Sequence, residues 1–279
     1  MASKLKRTPE ASIALSRELL ENSTHVIVIA GAGMSADVGT PTYWTGDHAK
    51  YGDGTSRHGY TNLQHAMGPL WDKEPLNQAE FFQETFSEML ASPKPEDKEN
   101  PYVLLKNWLD GREKKSFVIT SNVDTAFKEY GYDSAALYEI HGAYDRSQCL
   151  RVPSKHGVFP TVDPSQDKTY CPRCDSLARP NVLFFDDLDF NENVNNVQNS
   201  RFELFQDDIN LGTTLILEVG VGLTVMNLRN MTRRLSAYYD LPVVRINPHH
   251  VNRGDHIPVG MSPIVEHPLT SIEGLKLLL

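Results

Sequence analysis

Four groups of residues have the types and spacing to do chemistry. Gly31-Ala-Gly-Met-Ser35 follows an apolar, β-branched run. Glycines after a strand let the backbone approach a pyrophosphate while free amides face its oxygens. A plain glycine-rich turn looks the same, and the third glycine, Gly39, stands six residues after Gly33, a departure from G-x-G-x-x-G. Thr120-Ser-Asn-Val-Asp124 offers Asn122 and Asp124, either as cofactor contacts at a strand end or as a helix N-cap. His141-Gly142 offers a general base near neutral pH, with a glycine for a sharp exit. A hydrogen-bonded structural histidine is the alternative, and among ten histidines only position selects this one. Cys171-Pro-Arg-Cys174 has zinc-knuckle spacing, and Cys149 adds a third thiolate. The expected fourth position, three residues after Cys149, is Val152, so a complete site needs another donor such as His156. A redox Cys-x-x-Cys pair is the competing reading.

These groups need elements to carry them. Residues 25–30, 116–120, 137–140, 181–185, 214–219 and 242–246 read as strands, and 9–22, 77–91, 102–110, 194–207 and 225–239 as helices. Strands separated by helix-length segments predict an α/β fold, a Rossmann-type parallel sheet with helices on both faces. Polar groups at the C-terminal ends of such strands point into the crevice where doubly wound sheets bind ligands. Two segments break the alternation: 40 to about 100, rich in Gly, His and aromatics, and 142–178, polar and holding every cysteine. Structureless stretches of that length are uncommon inside a compact domain, which predicts a smaller inserted module. The expected division is 9–41, 101–141 and 179–250 for the sheet domain, 42–100 and 142–178 for the helical and cysteine-containing module, and 251–279 as a C-terminal segment.

Composition sets the outer limits. The chain has 279 residues, 40% apolar and 23% charged, which excludes wholesale disorder. Its 36 acidic against 27 basic side chains argue against direct nucleic-acid binding. No apolar run approaches the roughly 20 residues that span a bilayer, so no membrane association is expected. The N-terminus lacks the apolar stretch of a secretory signal. Three cysteines, an odd count, fit a reducing compartment, and the expected location is cytoplasmic.

The order of these groups resembles the sirtuin family. Cys149 stands eight residues after His141, and Arg179-Pro-Asn-Val182 begins five residues after Cys174, spacings that sirtuins share. Val219-Gly-Val-Gly-Leu-Thr-Val225 resembles the family's Gly-Thr-Ser-Leu cofactor segment, and Arg245-Ile-Asn247 closes the series. The resemblance covers roughly residues 10–250. It implies a Rossmann-type domain plus a small zinc-and-helix module, with NAD in the cleft between them. It further implies a deacylase that releases nicotinamide and forms O-acyl-ADP-ribose from an acylated protein. Carried over, His141 is the base, and Asn122 works beside it at the reacting end. Gly31, Ala32, Gly33, Ser35, Tyr43, Ser121, Asn122, Asp124, Gly220, Gly222 and Asn247 hold the dinucleotide. Val182, Phe185 and Asp186 meet the peptide, and Cys149, Cys171 and Cys174 hold zinc.

The departures from the family matter as much. Gly-Ile-Pro-Asp-Phe-Arg is replaced by Gly39-Thr-Pro-Thr-Tyr-Trp44, the usual Gln by Ser121, and Phe-Gly-Glu by Phe185-Asp-Asp187. Tyr43 keeps an aromatic ring. Together with Val152, these changes place the chain in a divergent branch. The alternatives to deacylation are mono-ADP-ribosyl transfer to protein, NAD hydrolysis, and a non-catalytic NAD or ADP-ribose sensor.

Overall fold

His25–Ala30 forms β1, at the centre of a six-stranded parallel sheet. Its side chains alternate between two cores: Val26, Val28 and Ala30 face one helical layer, Ile27 and Ile29 the other. A strand with water on neither face needs no polar alternation, hence its nearly unbroken apolar run. The computed structural model describes residues 8–40, 73, 75–80, 100–161, 169–209, 212–223, 226–249 and 262–279.

The remaining strands, in chain order, are β2 (Lys115–Thr120), β3 (Leu137–Glu139), β4 (Gly142–Cys149), β5 (Val158–Pro160), β6 (Ala178–Val182), β7 (Thr214–Val219), β8 (Val243–Ile246) and β9 (Ile264–His267). The large sheet runs β3-β2-β1-β7-β8-β9, and β4 to β6 form a separate antiparallel sheet in the order β5-β4-β6. With β4 to β6 set aside, the large sheet has the Rossmann order 3-2-1-4-5-6. Strand order reverses between β1 and β7, so the turns leaving these two strands open a crevice at the switch point.

The helices are α1 (Pro9–Asn22), α2 (Ala32–Ala36), α3 (Pro101–Gly111), α4 (Ala126–Glu129), α5 (Pro153–His156), α6 (Asn193–Gln206), α7 (Asn227–Tyr239) and α8 (Ser271–Leu278). Local chemistry sets their starts. Thr8 caps α1 with Pro9 in the first turn, Asn100 caps α3 through the Tyr102 amide at 2.9 Å, and Thr270 with Glu273 forms a capping box on α8. Residues 75–80, also helical, are the described part of the region where a helix over 77–91 is expected. No helix of the described residues is long and apolar enough to cross a membrane.

Two expectations need correction. Of the C-terminal segment expected at 251–279, residues 262–279 are described, and they join the sheet domain: β9 extends the large sheet beside β8, and α8 packs so closely that a Cβ on Gly274 would lie 2.3 Å from the Ile246 side chain. The strand expected at 181–185 is Ala178–Val182 and pairs with β4 in the small sheet, outside the parallel one. Asp187 ends it, taking Arg179 at 2.8 Å and the Phe184 and Asp189 amides at 3.4 and 3.1 Å, which turns the chain before Phe185 can extend the strand.

Candidate functional site

At the switch point the turns after β1 and β7 interlock backbone to backbone. The Gly31 amide donates to Val219 O and the Gly33 amide to Gly220 O, each at 3.0 Å. A Cβ on Gly31 would lie 2.6 Å from the Gly220 oxygen, and one on Gly220, where φ is +65°, 2.4 Å from the Met34 nitrogen. Glycine is therefore required for close packing of the two turns, and the Gly31 and Gly33 amides are already engaged. What the turns leave open at the crevice mouth is Ala32, exposed at the start of α2, and exposed Gly222, whose Cβ would meet nothing within 4 Å.

Beneath the crevice lies a polar knot. The Thr120 hydroxyl donates to Ala30 O at 2.9 Å and accepts from the Asn122 amide at 3.0 Å, folding Thr120-Ser-Asn over the end of β1. Asn122 Nδ2 donates to Ser35 Oγ at 2.9 Å and Gly31 O at 3.1 Å. Ser35 Oγ also donates to the Asp124 carboxylate and bonds to the Tyr102 hydroxyl at 2.7 Å. With its proton on Asp124, Ser35 must accept from Tyr102 and Asn122, which fills its one donor and two acceptor sites. Ser35 thus holds the knot together. Asn122 Oδ1 carries no bond among the described residues and is the polar atom left for a ligand. Asp124 Oδ1 accepts from the Ala126 amide at 3.1 Å, so Asp124 caps α4 and joins the knot at once.

Tyr102 is the knot member that sequence reasoning missed. It is fully buried on α3, stacked on Tyr130 with ring centroids 5.3 Å apart. Burial, and then the Asp124 charge, raise its phenol well above the ordinary range, keeping it a hydroxyl donor. Its spacing with Leu105 and Leu109 is that of a core helix face, which gave no signal of a site role.

His141 follows β3, half-buried. Burial lowers its pKa, partly offset by the Ser121 backbone carbonyl that its ring faces. Its main chain is fixed by the Leu183 amide, which donates to His141 O at 2.9 Å. Asn227 Nδ2, on the first turn of α7, donates to its Nε2 at 3.3 Å. Asn247, expected at a ribose, has both ends of its side chain engaged: Nδ2 donates to Val221 O and Oδ1 accepts from the His249 amide at 3.0 Å. It braces the turn that carries Gly220 and Gly222. Tyr43 lies outside the described residues.

β6 has one edge on β4 and the other free of any strand among the described residues. Val182 is buried at its end opposite Gly142, while Phe185 and Asp186 are exposed in the following turn. Asp186 has φ +56°, a left-handed conformation that Asp tolerates better than most side chains.

In the small sheet, Cys149, His156, Cys171 and Cys174 place one ligand atom each within 4.8 Å of one another. Cys149 and Cys174 sulfurs are 3.6 Å apart, and Cys171 Sγ is 3.4 Å from His156 Nδ1. Zn–S bonds of about 2.3 Å at tetrahedral angles put sulfurs about 3.8 Å apart, so the donor set fits zinc. Val152 cannot ligate, but its carbonyl accepts from the Lys155 and His156 amides at 3.2 and 3.1 Å, and this turn brings His156 to the empty corner. Burial raises the Cys149 thiol, opposed by the Val152 and Arg151 amides, whereas the Ser176 hydroxyl and amide lower Cys174 to about 6.

Fold and site together define a Rossmann-type α/β protein with an inserted Cys3His cluster and a histidine at the switch-point crevice. The chain belongs to the Sir2 family, the sirtuins, whose family model matches residues 31–219. It is 26% identical over 202 residues to NAD-dependent protein deacylase 2 of Pseudomonas aeruginosa, covering 72% of this chain and 76% of that protein. It is 31% identical over 163 residues to a probable bifunctional ADP-ribose hydrolase/ADP-ribosyltransferase of Fusarium oxysporum f. sp. cubense, covering 57% of this chain and 26% of that one. Matches to further curated relatives span 61–64% of their lengths. A solved Sir2 homologue in complex with NAD has the same fold, with a TM-score of 0.69 at 17% identity, covering 95% of this chain and 92% of that one.

Proposed function

We propose that the chain is an NAD-dependent protein-lysine deacylase of sirtuin type, converting NAD and an acylated protein to nicotinamide, O-acyl-ADP-ribose and free lysine. The observation that carries this reading is His141, a half-buried imidazole held against the Ser121 carbonyl, next to Asn122, at the C-terminal side of the Rossmann sheet. The names of the deacylase relatives support it.

The crevice fits a dinucleotide through its open backbone at Ala32 and Gly222 and the unengaged Asn122 Oδ1. When bound, NAD supplies a ribose carbon from which nicotinamide leaves as the acyl oxygen arrives. Asn122 and Asp124, held by Ser35 and Tyr102, present fixed dipoles and negative charge to the positive charge that develops there. His141, kept neutral by burial, takes the proton of a ribose hydroxyl at Nε2. The open edge of β6, with Val182 at its end and Phe185 and Asp186 beyond, takes the acyl-lysine segment as an added strand. Cys149, His156, Cys171 and Cys174 hold a structural zinc that ties β4 to the knuckle before β6.

ADP-ribosyl transfer to protein, or NAD hydrolysis, is the second reading. It is favoured by Asp186, an exposed carboxylate with φ +56° beside the peptide edge, and by the name of the Fusarium relative. Incubation with NAD and a panel of acyl-lysine peptides, read by mass spectrometry, separates the readings. O-acyl-ADP-ribose supports deacylation. ADP-ribosylated protein or free ADP-ribose without acyl peptide supports the second reading. NAD that binds unchanged overturns both and leaves a sensor.

A further inference from the structure

We propose that Asn227 is a positioning residue for His141, its side-chain amide donating to Nε2 and thereby fixing the tautomer and rotamer of the ring. The geometry carries this from both sides. Asn227 is the first residue of α7, and the two residues after it are pinned: Leu228 is buried in the core, and Arg229 donates to Val221 O at 2.9 Å and pairs with Glu218 at 3.4 Å. The Asn230 amide closes the first turn onto Met226 O at 2.8 Å. The Asn227 Cα is therefore held, although its side chain is exposed.

The His141 backbone is held as firmly, by the Leu183 amide at 2.9 Å and by Gly142, which packs directly on Asn181. Only the ring torsions remain free, and two groups meet the ring: Asn227 at Nε2 and the Ser121 carbonyl. A neutral imidazole has one donor and one acceptor nitrogen. With Asn227 donating to Nε2, the proton sits on Nδ1, the nitrogen left to face Ser121, and the single Nε2 lone pair is held by the Asn227 amide until a ribose hydroxyl takes that amide's place. When Nε2 is protonated in the absence of substrate, a flip of the amide presents Asn227 Oδ1 to the new N–H. One uncharged side chain so serves both protonation states without favouring either strongly, which a carboxylate could not do. Burial and the Ser121 carbonyl set the protonation of the ring, and no charged side chain among the described residues adds to them.

This inference rests on His141 as the base, but its test does not need turnover. The full chain labelled with 15N-histidine should show neutral His141 with its proton on Nδ1. Asn227→Ala, which leaves only the Ser121 carbonyl to hold that proton, should raise the share of the form protonated on Nε2. Asn227→Asp, by placing a carboxylate at Nε2, should raise the His141 titration midpoint by about one pH unit or more. With an acyl peptide that turns over, the acid limb of kcat/KM should follow that midpoint. Asn227→Ala should also lower kcat about tenfold, as expected for one lost orienting hydrogen bond, with KM for NAD little changed. Wild-type His141 protonated on Nε2, or a ring whose tautomer is unchanged in Asn227→Ala and whose midpoint is unchanged in Asn227→Asp, overturns the proposal. The expected NMR result without turnover on any acyl peptide leaves Asn227 in place and removes the deacylase reading instead.

Discussion

Gly142 and Asn181 pack backbone on backbone: a Cβ on Gly142 would lie 2.0 Å from the Asn181 carbonyl oxygen, at a φ of +76°. The contact sets the angle at which the chain leaves His141 and enters β4. Left-handed strain and overpacking each cost on the order of 1–3 kcal/mol, so Gly142→Ala should lower unfolding free energy by about 2–4 kcal/mol in urea. A loss below about 1 kcal/mol would show that the strands slide apart without cost, and that His141 is not held from this side.

The Ser35, Tyr102, Asn122 and Asp124 knot predicts a subtler variant. Tyr102→Phe removes the hydroxyl that bonds Ser35 at 2.7 Å and leaves the stack on Tyr130 intact. Stability should fall by about 1–2 kcal/mol, the cost of one buried acceptor left unpaired. Because Ser35, which holds Asn122, is left with an unfilled acceptor site and Asn122 loses its 3.5 Å bond to that hydroxyl, KM for NAD should rise as well. Unchanged stability and unchanged KM would mean that the knot closes without Tyr102.

The metal cluster gives a prediction that needs no activity. The chain, purified without added zinc, should carry close to one zinc per molecule. His156→Ala should speed zinc loss to a chelator by at least about tenfold, while His156→Cys keeps the metal. Equal retention by wild type and His156→Ala would place the fourth ligand elsewhere.

Acid sensitivity follows from two histidines. Burial lowers the folded pKa of both His141 and His267, and the latter is bonded through Nε2 to Ser16 Oγ at 2.8 Å. Unfolding frees both rings to bind protons below their ordinary pKa of about 6.5. Their contribution to stability is therefore complete above about pH 6.5 and lost as the pH falls towards the lower folded values. The urea midpoint should drop between pH 7.5 and 5. His267→Gln should shrink that drop, and an identical drop in the variant would remove His267 as a cause.

How much of this was legible in the sequence depends on what each residue was doing. β1 stood out because both faces are apolar, and β7 because its apolar run is broken only by the buried Glu218. β4 did not, because its buried positions include polar residues that pair with residues of β3 and β6. Arg146 reaches Glu139 at 2.7 Å, and Gln148 accepts from Asn181 at 2.9 Å, so no apolar period survives. β9 is only four residues long and follows a stretch without periodic signal. Thr120-Ser-Asn-Val-Asp124, His141 and the cysteines were readable because their types are chemically rare at strand ends and knuckles. His156 was readable as the nearest spare donor. Tyr102 and Asn227 were not, since one reads as core and the other as helix surface until the fold brings them to Ser35 and His141.

The central claim is that His141 serves NAD-dependent acyl transfer. It is tested most directly by product stoichiometry with an acyl-lysine peptide, comparing wild type with His141→Ala. Wild type should give one O-acyl-ADP-ribose per nicotinamide, and the variant should lose both products by about 100-fold or more. Nicotinamide release that continues undiminished in His141→Ala, or that yields only free ADP-ribose in wild type, would contradict it.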